Sequence, residues 1–145
     1  MDIAELRKKI KGKVIAPEDE SYDKSRQTFS GAIDMHPAVI IMAKDESDVT
    51  EAIRLAKESG LMFAIRSGGH SIHCSSEGGI VLDLRDMKSL EINQADKTAW
   101  VESGMTAGEY SQKVGEFDLV TGFGDTGSVG IGGIALGGGI GFLVR

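Results

Sequence analysis

Two glycine-rich stretches carry the residue types and spacings that could do chemistry in this sequence. The first, residues 66–71, reads Arg-Ser-Gly-Gly-His-Ser and directly follows an apolar run that predicts a buried strand. Its adjacent glycines permit positive φ and leave consecutive backbone N–H groups unobstructed, and such groups form a concave anion site. Ser67 and Ser71 add hydroxyl donors, so a phosphate or pyrophosphate is the expected ligand. An ordinary Gly-Gly turn between a strand and a loop explains the same local pattern.

The second stretch, residues 122–141, holds 10 of the 20 glycines of the chain. Gly122, Gly124 and Gly127 form a G-x-G-x-x-G pattern. A dinucleotide-binding motif of that kind must follow a buried strand and open a helix, and the residues after Gly127 are predicted to be too rich in glycine for a helix. We therefore reject that motif. We expect instead a backbone that closely approaches a large flat ligand, because side chains would collide with it.

The same region raises the alternative of a membrane segment. Residues 126–144 contain no charged side chain and approach the length of a bilayer span. Gly133, Gly137 and Gly141 have the spacing of small-residue contacts between membrane helices. Glycine contributes little apolar surface and weakens helices, so the sequence favours a ligand site over membrane insertion.

Two other groupings of reactive side chains lie near the first stretch. His70, His73 and Cys74 could contribute to a zinc site, but a fourth protein ligand is missing nearby in the sequence. His70, Ser71 and Asp83 could form a hydrolase triad, but the chain has no G-x-S-x-G elbow. We predict that Cys74 has no chemical role and that Asp83 makes a polar contact at the end of a strand.

The composition excludes several classes of protein. The chain has 145 residues, 22 acidic and 16 basic side chains and a formal charge of −6, so it offers no basic stripe for nucleic-acid phosphates. A single cysteine excludes an internal disulfide framework. The N-terminal residues lack the apolar core of a secretory signal. We expect a globular, cytoplasmic protein that binds neither nucleic acid nor membrane.

A strand–helix–strand unit is predicted to position the first glycine stretch. Apolar runs at 38–43 and 61–66 predict two buried strands. Between them, Asp45 is the predicted N-cap of a helix and Gly60 its C-terminal stop. The strands of such a βαβ unit are parallel. The apolar stripe of the helix is predicted to contain Val49, Ala52, Ile53 and Ala56.

The segments before and after this unit are predicted from shorter patterns. A helix at 2–11 precedes it, capped by Asp2, and residues 17–37 are predicted to be a long connection. Three short strands follow at 80–84, 90–93 and 98–102, with residues 94–97 as the turn of an antiparallel hairpin.

A second helix is predicted to follow the hairpin. Thr106 and Glu109 have capping-box spacing, and this helix should turn Tyr110 and Val114 inward. A further strand is predicted to begin at Phe142, so the chain is expected to stop inside a larger fold.

Taken in chain order, these features resemble a known family. The βαβ unit ends in residues 66–71, a strand with the sequence Gly78-Gly79-Ile80-Val81-Leu82-Asp83-Leu84 follows, and the second glycine stretch closes the chain with Val129-Gly130-Ile131-Gly132-Gly133 and Leu136-Gly137-Gly138-Gly139. Residues 36–145 resemble the N-terminal FAD-binding domain of the FAD-linked oxidases, and most closely the berberine-bridge-enzyme-like and 6-hydroxynicotine-oxidase-like group.

The resemblance implies an α+β class, the PCMH-type FAD-binding fold of two α+β subdomains. A small parallel βαβ unit is followed by a mostly antiparallel sheet, and the fold is truncated at its C-terminus. The whole chain, residues 1–145, would be the N-terminal part of an FAD-binding domain. The first subdomain would span about 1–88 and an incomplete second one about 89–145. The family's substrate domain and catalytic base lie beyond this region, so the catalytic residues are unknown.

The resemblance also implies the cofactor site. His70 is the candidate for a covalent bond to the 8α-methyl carbon of FAD, the alternative being a hydrogen-bonding histidine beside noncovalent FAD. Thr126 or a neighbour takes the place just before the Val129-to-Gly133 element where doubly linked members carry a cysteine, so a second covalent link is not expected. The segment 70–78 is about two residues shorter than the family pattern. The implied cofactor-binding residues are Arg66, Ser67, Gly68, Gly69, His70, Ser71, Thr126, Gly127, Ser128, Val129, Gly130, Gly132, Gly133, Gly137 and Gly138.

The implied function is oxidation of a small alcohol, amine or sugar by hydride transfer to flavin N5. The alternatives are a non-catalytic flavin-binding module, a truncated subunit that needs a partner chain, and a membrane-associated protein. A small-molecule substrate is the expected partner. We also expect the chain to associate with itself or with a chain that supplies the missing substrate domain, because an unpaired sheet edge recruits other strands.

Overall fold

The computed structural model describes residues 1–143, whose six strands form two separate sheets. The first sheet has the order β1-β2-β4-β3, and its strands are β1 (Lys13–Ile15), β2 (Val39–Met42), β3 (Phe63–Arg66) and β4 (Ile80–Asp83). β2 and β3 both run parallel to β4, and β1 pairs antiparallel with β2. The second sheet is an antiparallel hairpin of β5 (Leu90–Asn93) and β6 (Thr98–Val101). This arrangement confirms the predicted α+β class.

Five helices accompany the sheets in the described part of the chain: α1 (Ile3–Lys9), α2 (Tyr22–Arg26), α3 (Glu46–Ser59), α4 (Ala107–Gly115) and α5 (Ile131–Gly137). The predicted caps are confirmed. Asp2 accepts hydrogen bonds from the first turn of α1, Asp45 does so for α3, and Gly60 ends α3 in the left-handed conformation at φ 66°. Thr106 and Glu109 form the predicted capping box of α4.

The parallel strands form the core because both of their faces are covered. Val39, Ile41 and Leu82 pack with residues of α1 and α3 on one face, and Ile40 and Val81 pack on the other. All five side chains are at most 1% exposed. Such strands are continuous apolar runs, which is why the sequence located them without alternation.

β4 lies between β2 and β3, so the two strands of the βαβ unit are parallel but not adjacent. The loop after β3 therefore leaves the sheet beside the end of the central strand. Carboxyl ends of neighbouring parallel strands are where open α/β sheets place ligands. The first glycine stretch starts at this edge.

Several local predictions are wrong. β1 was not predicted at all, and α2 lies inside the supposed connection 17–37. The hydroxyl of Tyr22 donates to the carbonyl of Pro37 at 2.8 Å, so this segment packs against the sheet. Ile53 was assigned to the buried stripe of α3 but is 40% exposed. Leu55 packs on the core instead, beside the predicted Val49, Ala52 and Ala56.

The second glycine stretch also departs from its prediction, since α5 is a short helix where none was expected. Its seven residues are stabilised by contacts of its first turn with Met105 and Ser103 and not by helix propensity. Within residues 1–143 no helix is long and apolar enough to cross a membrane. The strand predicted to start at Phe142 is a turn at residues 142–143, and the rest of it, residues 144–145, lies outside the described residues.

Candidate functional site

The site is built on Arg66, the last residue of β3, whose side chain is fully buried. Its guanidinium donates to three main-chain carbonyls, those of Cys74 at 3.2 Å, Ser25 at 2.6 Å and Arg26 at 3.3 Å. Burial lowers the pKa of Arg66, and the carboxylate of Asp83, 3.6 Å away, opposes this shift. One side chain thereby ties the loop that follows β3 to the last turn of α2.

The carboxylate of Asp83 completes this buried cluster at the end of β4. The guanidinium of Arg85 donates to this carboxylate, from Nε to both oxygens at 3.0 Å and from Nη2 to Oδ2 at 2.6 Å. The strand-end polar contact predicted for Asp83 is therefore confirmed. These bonds occupy the carboxylate, so it does not orient the His70 imidazole as a triad would require.

The loop after Arg66 presents main-chain donors. Gly69 adopts φ 80°, a conformation that glycine reaches without strain. Within residues 1–143 the N–H groups of Gly69, His70 and Ser71 make no hydrogen bond. Consecutive N–H groups around a left-handed residue form an anion-binding concavity. Three such groups around Gly69 are the arrangement that the predicted anion site requires, and the site itself stays a prediction.

The second glycine stretch packs against this loop, main chain on main chain. A Cβ atom on Gly130 would lie 2.2 Å from the nitrogen of Gly68 and 2.0 Å from Oγ of Ser67. The Ser67 hydroxyl donates to the carbonyl of Ser103 at 2.5 Å, and the N–H of Gly132 donates to the same carbonyl at 3.2 Å. Glycine at 68, 130 and 132 is therefore required by contacts within the protein, and not only by a ligand.

Two adjoining cavities of about 420 and 400 Å³ open where the two stretches meet. Both are within the usual size range of ligand pockets, and His70, Ser71, Val129 and Gly133 line both. Nothing lies within 4 Å of the position that a Cβ of Gly133 would take. The wall is consequently open at this glycine, and a ligand could approach its main chain closely.

The ring of His70 stands between two segments that are distant in sequence. Its Nε2 lies 3.1 Å from the hydroxyl oxygen of Ser128. The ring of Phe29 stacks on it, with centroids 4.1 Å apart and planes inclined by 19°. Phe29 was not predicted to belong to the site, because an isolated aromatic residue in a polar connection carries no pattern.

The structure brings together most of the predicted site residues. The first cavity is lined by Ser67, Gly68, Gly69, His70, Ser71, Val129, Gly130, Gly132 and Gly133, and the second also by Thr126 and Gly138. Four predicted residues line neither cavity, namely Arg66, Gly127, Ser128 and Gly137. The apolar lining of the first cavity comes from Val129, which was predicted, and from Ile65, Leu84 and Leu136, which were not.

The zinc alternative receives no geometric support. Over the 143 described residues no three His, Cys, Asp or Glu side chains come close enough to hold a metal ion. His73 is exposed and Cys74 is buried, although the two are adjacent in sequence.

Comparisons with known proteins agree with this geometry. Residues 37–145 match the model of a family described as FAD binding domain. The chain is 36% identical over 136 residues to the (R)-6-hydroxynicotine oxidase of Paenarthrobacter nicotinovorans, covering 92% of this chain and 30% of that protein. It is 37% identical over 131 residues to berberine bridge enzyme-like 6 of Arabidopsis thaliana, covering 86% of this chain and 24% of the relative.

A solved structure shows the same fold. The crystal structure of 6-hydroxy-D-nicotine oxidase from Arthrobacter nicotinovorans superposes with a TM-score of 0.90 at 36% identity, over 92% of this chain and 30% of that one. The chain therefore spans between 22% and 31% of the length of the curated relatives named in these comparisons.

Proposed function

This chain belongs to the FAD binding domain family, and we propose that it holds FAD for an oxidoreductase that oxidises a small alcohol, amine or sugar. The observation that carries the proposal is the pair of cavities joined along His70 and Gly133, between two glycine-rich walls. Bound FAD supplies the ring nitrogen N5 that accepts a hydride from the substrate carbon. We assign the catalytic base and the substrate contacts to no residue of this chain.

The residues of the site suit the parts of FAD. The three unpaired N–H groups of Gly69, His70 and Ser71 would bind the anionic pyrophosphate. The open wall at Gly133, together with Val129 and Leu136, would lie against the planar ring system. The apolar lining would exclude water from the ring, which strengthens the remaining polar contacts.

We propose further that His70 carries the flavin covalently. It is part of the cavity wall rather than of the core, and a neutral imidazole nitrogen is a nucleophile near neutral pH. The sequence contains only one cysteine, Cys74, and it does not lie next to the Val129-to-Gly133 element. We therefore propose no second covalent link between the flavin and the protein.

An absorption spectrum of the purified chain tests the proposal. We expect flavin bands in the native protein, and colour that remains with acid-precipitated wild-type protein but not with precipitated His70→Ala. A protein that takes up no FAD would contradict the proposed function. If FAD is bound but fully released by acid, this result would contradict only the proposed covalent link.

Turnover distinguishes an oxidoreductase from a non-catalytic flavin module. Anaerobic mixing of the FAD-loaded protein with a panel of small alcohols, amines and sugars should bleach the flavin with at least one class. Bound flavin that no donor reduces would favour the flavin-binding module or a subunit that needs a partner chain.

We propose that the chain associates with a second copy or a partner. Ile140, Phe142 and Leu143 are exposed apolar side chains that lie close together in sequence. Clustered apolar side chains on a surface mark an interaction site. Size-exclusion chromatography with light scattering should show a mass above the monomer that rises with concentration, and a monomer at all concentrations would contradict it.

A further inference from the structure

Phe29 occupies an unusual place for an aromatic side chain. It is 69% exposed, yet its ring stacks on His70 at a centroid distance of 4.1 Å. Its N–H donates to the carbonyl of Gly69 at 3.0 Å, so main chain and side chain both contact the same loop. The ring of Phe29 is thus held against the imidazole that lines the cavity.

A second contact fixes the imidazole ring from another direction. Oγ of Ser128 lies 3.1 Å from Nε2 of His70, and Ser128 belongs to the glycine stretch that packs on the loop. A stacked plane restricts tilting of a ring, and a hydrogen bond to one ring nitrogen restricts its rotation about χ2. Together the two contacts define both the plane of the ring and the direction of its nitrogens.

Both sides of the stack are anchored to a single buried residue. Arg66 donates to the carbonyls of Ser25 and Arg26, a few residues before Phe29, and to the carbonyl of Cys74, a few residues after His70. The segment that carries Phe29 and the loop that carries His70 therefore share one rigid support. The stack is consequently a built feature and not a chance surface contact.

We propose that Phe29 and Ser128 are positioning residues that hold the His70 imidazole for its attachment to FAD, an inference that rests on the proposed function. Attachment joins a ring nitrogen to the 8α carbon, and that carbon and the nitrogen each release one proton. Two electrons remain on the flavin, and dioxygen accepts them as hydrogen peroxide. A ring free to tilt and rotate meets the 8α carbon in the required orientation less often, so attachment slows.

To test this, apoprotein is mixed with FAD under air and samples are precipitated with acid at successive times. The flavin that remains with the precipitated protein measures how much attachment has occurred. Phe29→Leu removes the stack and Ser128→Ala removes the hydrogen bond, and each should slow attachment about tenfold. Phe29→Tyr and Ser128→Thr keep the contacts and should stay within about threefold of wild type. Phe117→Leu replaces an exposed aromatic residue elsewhere in the chain and should have no effect.

The affinity for FAD that is bound reversibly shows whether a variant only mispositions His70 or damages the whole FAD site. In a His70→Ala background, Phe29→Leu and Ser128→Ala should each bind FAD within about twofold of the parent. In the chain without FAD, the His70 ring protons should shift downfield in Phe29→Leu but not in Phe29→Tyr, because the ring current of Phe29 is lost only in the first.

Attachment by Phe29→Leu and Ser128→Ala at the wild-type rate would overturn the inference while the proposed function stands. A wild-type chain that binds FAD but never forms the link would instead overturn the covalent part of the proposed function, and this inference with it.

Discussion

The two walls of the cavity are held in place by opposite means. The wall at residues 66–71 rests on a side chain, since the buried guanidinium of Arg66 binds three main-chain carbonyls. The wall at residues 127–133 rests on the main chain, because N–H groups of Ala107, Gly108 and Ile131 pair with carbonyls across the interface. One wall should therefore be sensitive to loss of a polar side chain, and the other to gain of a single methyl group.

Removing the side-chain support should have the largest effect. Arg66→Met leaves three carbonyls without their donor and weakens the neutralisation of buried Asp83. Breaking a buried charged cluster in this way costs about 3–5 kcal/mol. Urea unfolding should show that loss. Arg54→Met, on the exposed side of α3, should cost less than about 1 kcal/mol. Equal effects of the two variants would show that Arg66 does not support the wall at residues 66–71.

Adding one methyl group to the other wall should have the next largest effect. Gly130→Ala places a Cβ 2.2 Å from the nitrogen of Gly68, so the main chain must shift. This shift should lower the free energy of unfolding by about 1–3 kcal/mol. Gly133→Ala meets no atom within 4 Å and sits in α5, so it should leave stability unchanged or raise it by up to about 1 kcal/mol. Thermal unfolding of both variants compares them directly, and similar melting temperatures would refute the main-chain packing.

Two glycines with positive φ distinguish the effect of backbone strain from the effect of ligand contact, because only one of them lines the cavity. Gly69 at φ 80° lines the cavity, whereas Gly60 at φ 66° ends α3. Valine at either position should cost about 1–2 kcal/mol, because L side chains avoid this conformation. Only Gly69→Val should also weaken FAD binding, as measured by fluorescence titration. Unchanged FAD affinity in Gly69→Val would remove this loop from the site.

The sequence predicted those features of the fold that one segment encodes alone. Buried parallel strands appear as apolar runs, and the caps at Asp45 and Thr106 follow from their own side chains. The pairing of β4 between β2 and β3 depends on contacts between distant segments and has no local signal. β1 has three residues, too few for any periodicity.

The same distinction applies to the site. The loop at residues 66–71 was visible because two adjacent glycines flanked by hydroxyl groups favour an anion site within a single short segment. One reason for glycine at position 130 was missed, since its contact with Gly68 joins residues 62 positions apart and is visible only after folding. Phe29 was missed for the same reason, because its contact with His70 is tertiary.

The smallest predicted effect concerns α4, whose first residues donate hydrogen bonds to the wall at residues 127–133. Lys88 and the N-terminus of α4 lower the pKa of Glu109 from 4.5 to about 2. The carboxylate therefore stabilises the fold fully above about pH 4.5, and this contribution is lost as the pH falls toward 2. Because Glu109 is 42% exposed, solvent screening limits it to about 1 kcal/mol.

Glu109→Gln should accordingly destabilise the protein at pH 7 and match wild type near pH 2. Glu116→Gln, at the other end of the same helix, serves as the control and should have no comparable effect. The free energy of unfolding measured from pH 2 to pH 7 decides the point. A constant difference between Glu109→Gln and wild type across this range would show that the carboxylate is not the group responsible.

The proposed function requires that FAD lies in the cavity between the two walls. Gly133 and Gly115 provide the most direct test, because a Cβ at either position meets no protein atom within 4 Å and only Gly133 lines the cavity. FAD should be titrated into Gly133→Val and Gly115→Val, both in a His70→Ala background so that binding is reversible. We predict binding weaker by at least about tenfold in Gly133→Val and unchanged in Gly115→Val. Equal FAD affinity in the two variants would contradict the claim.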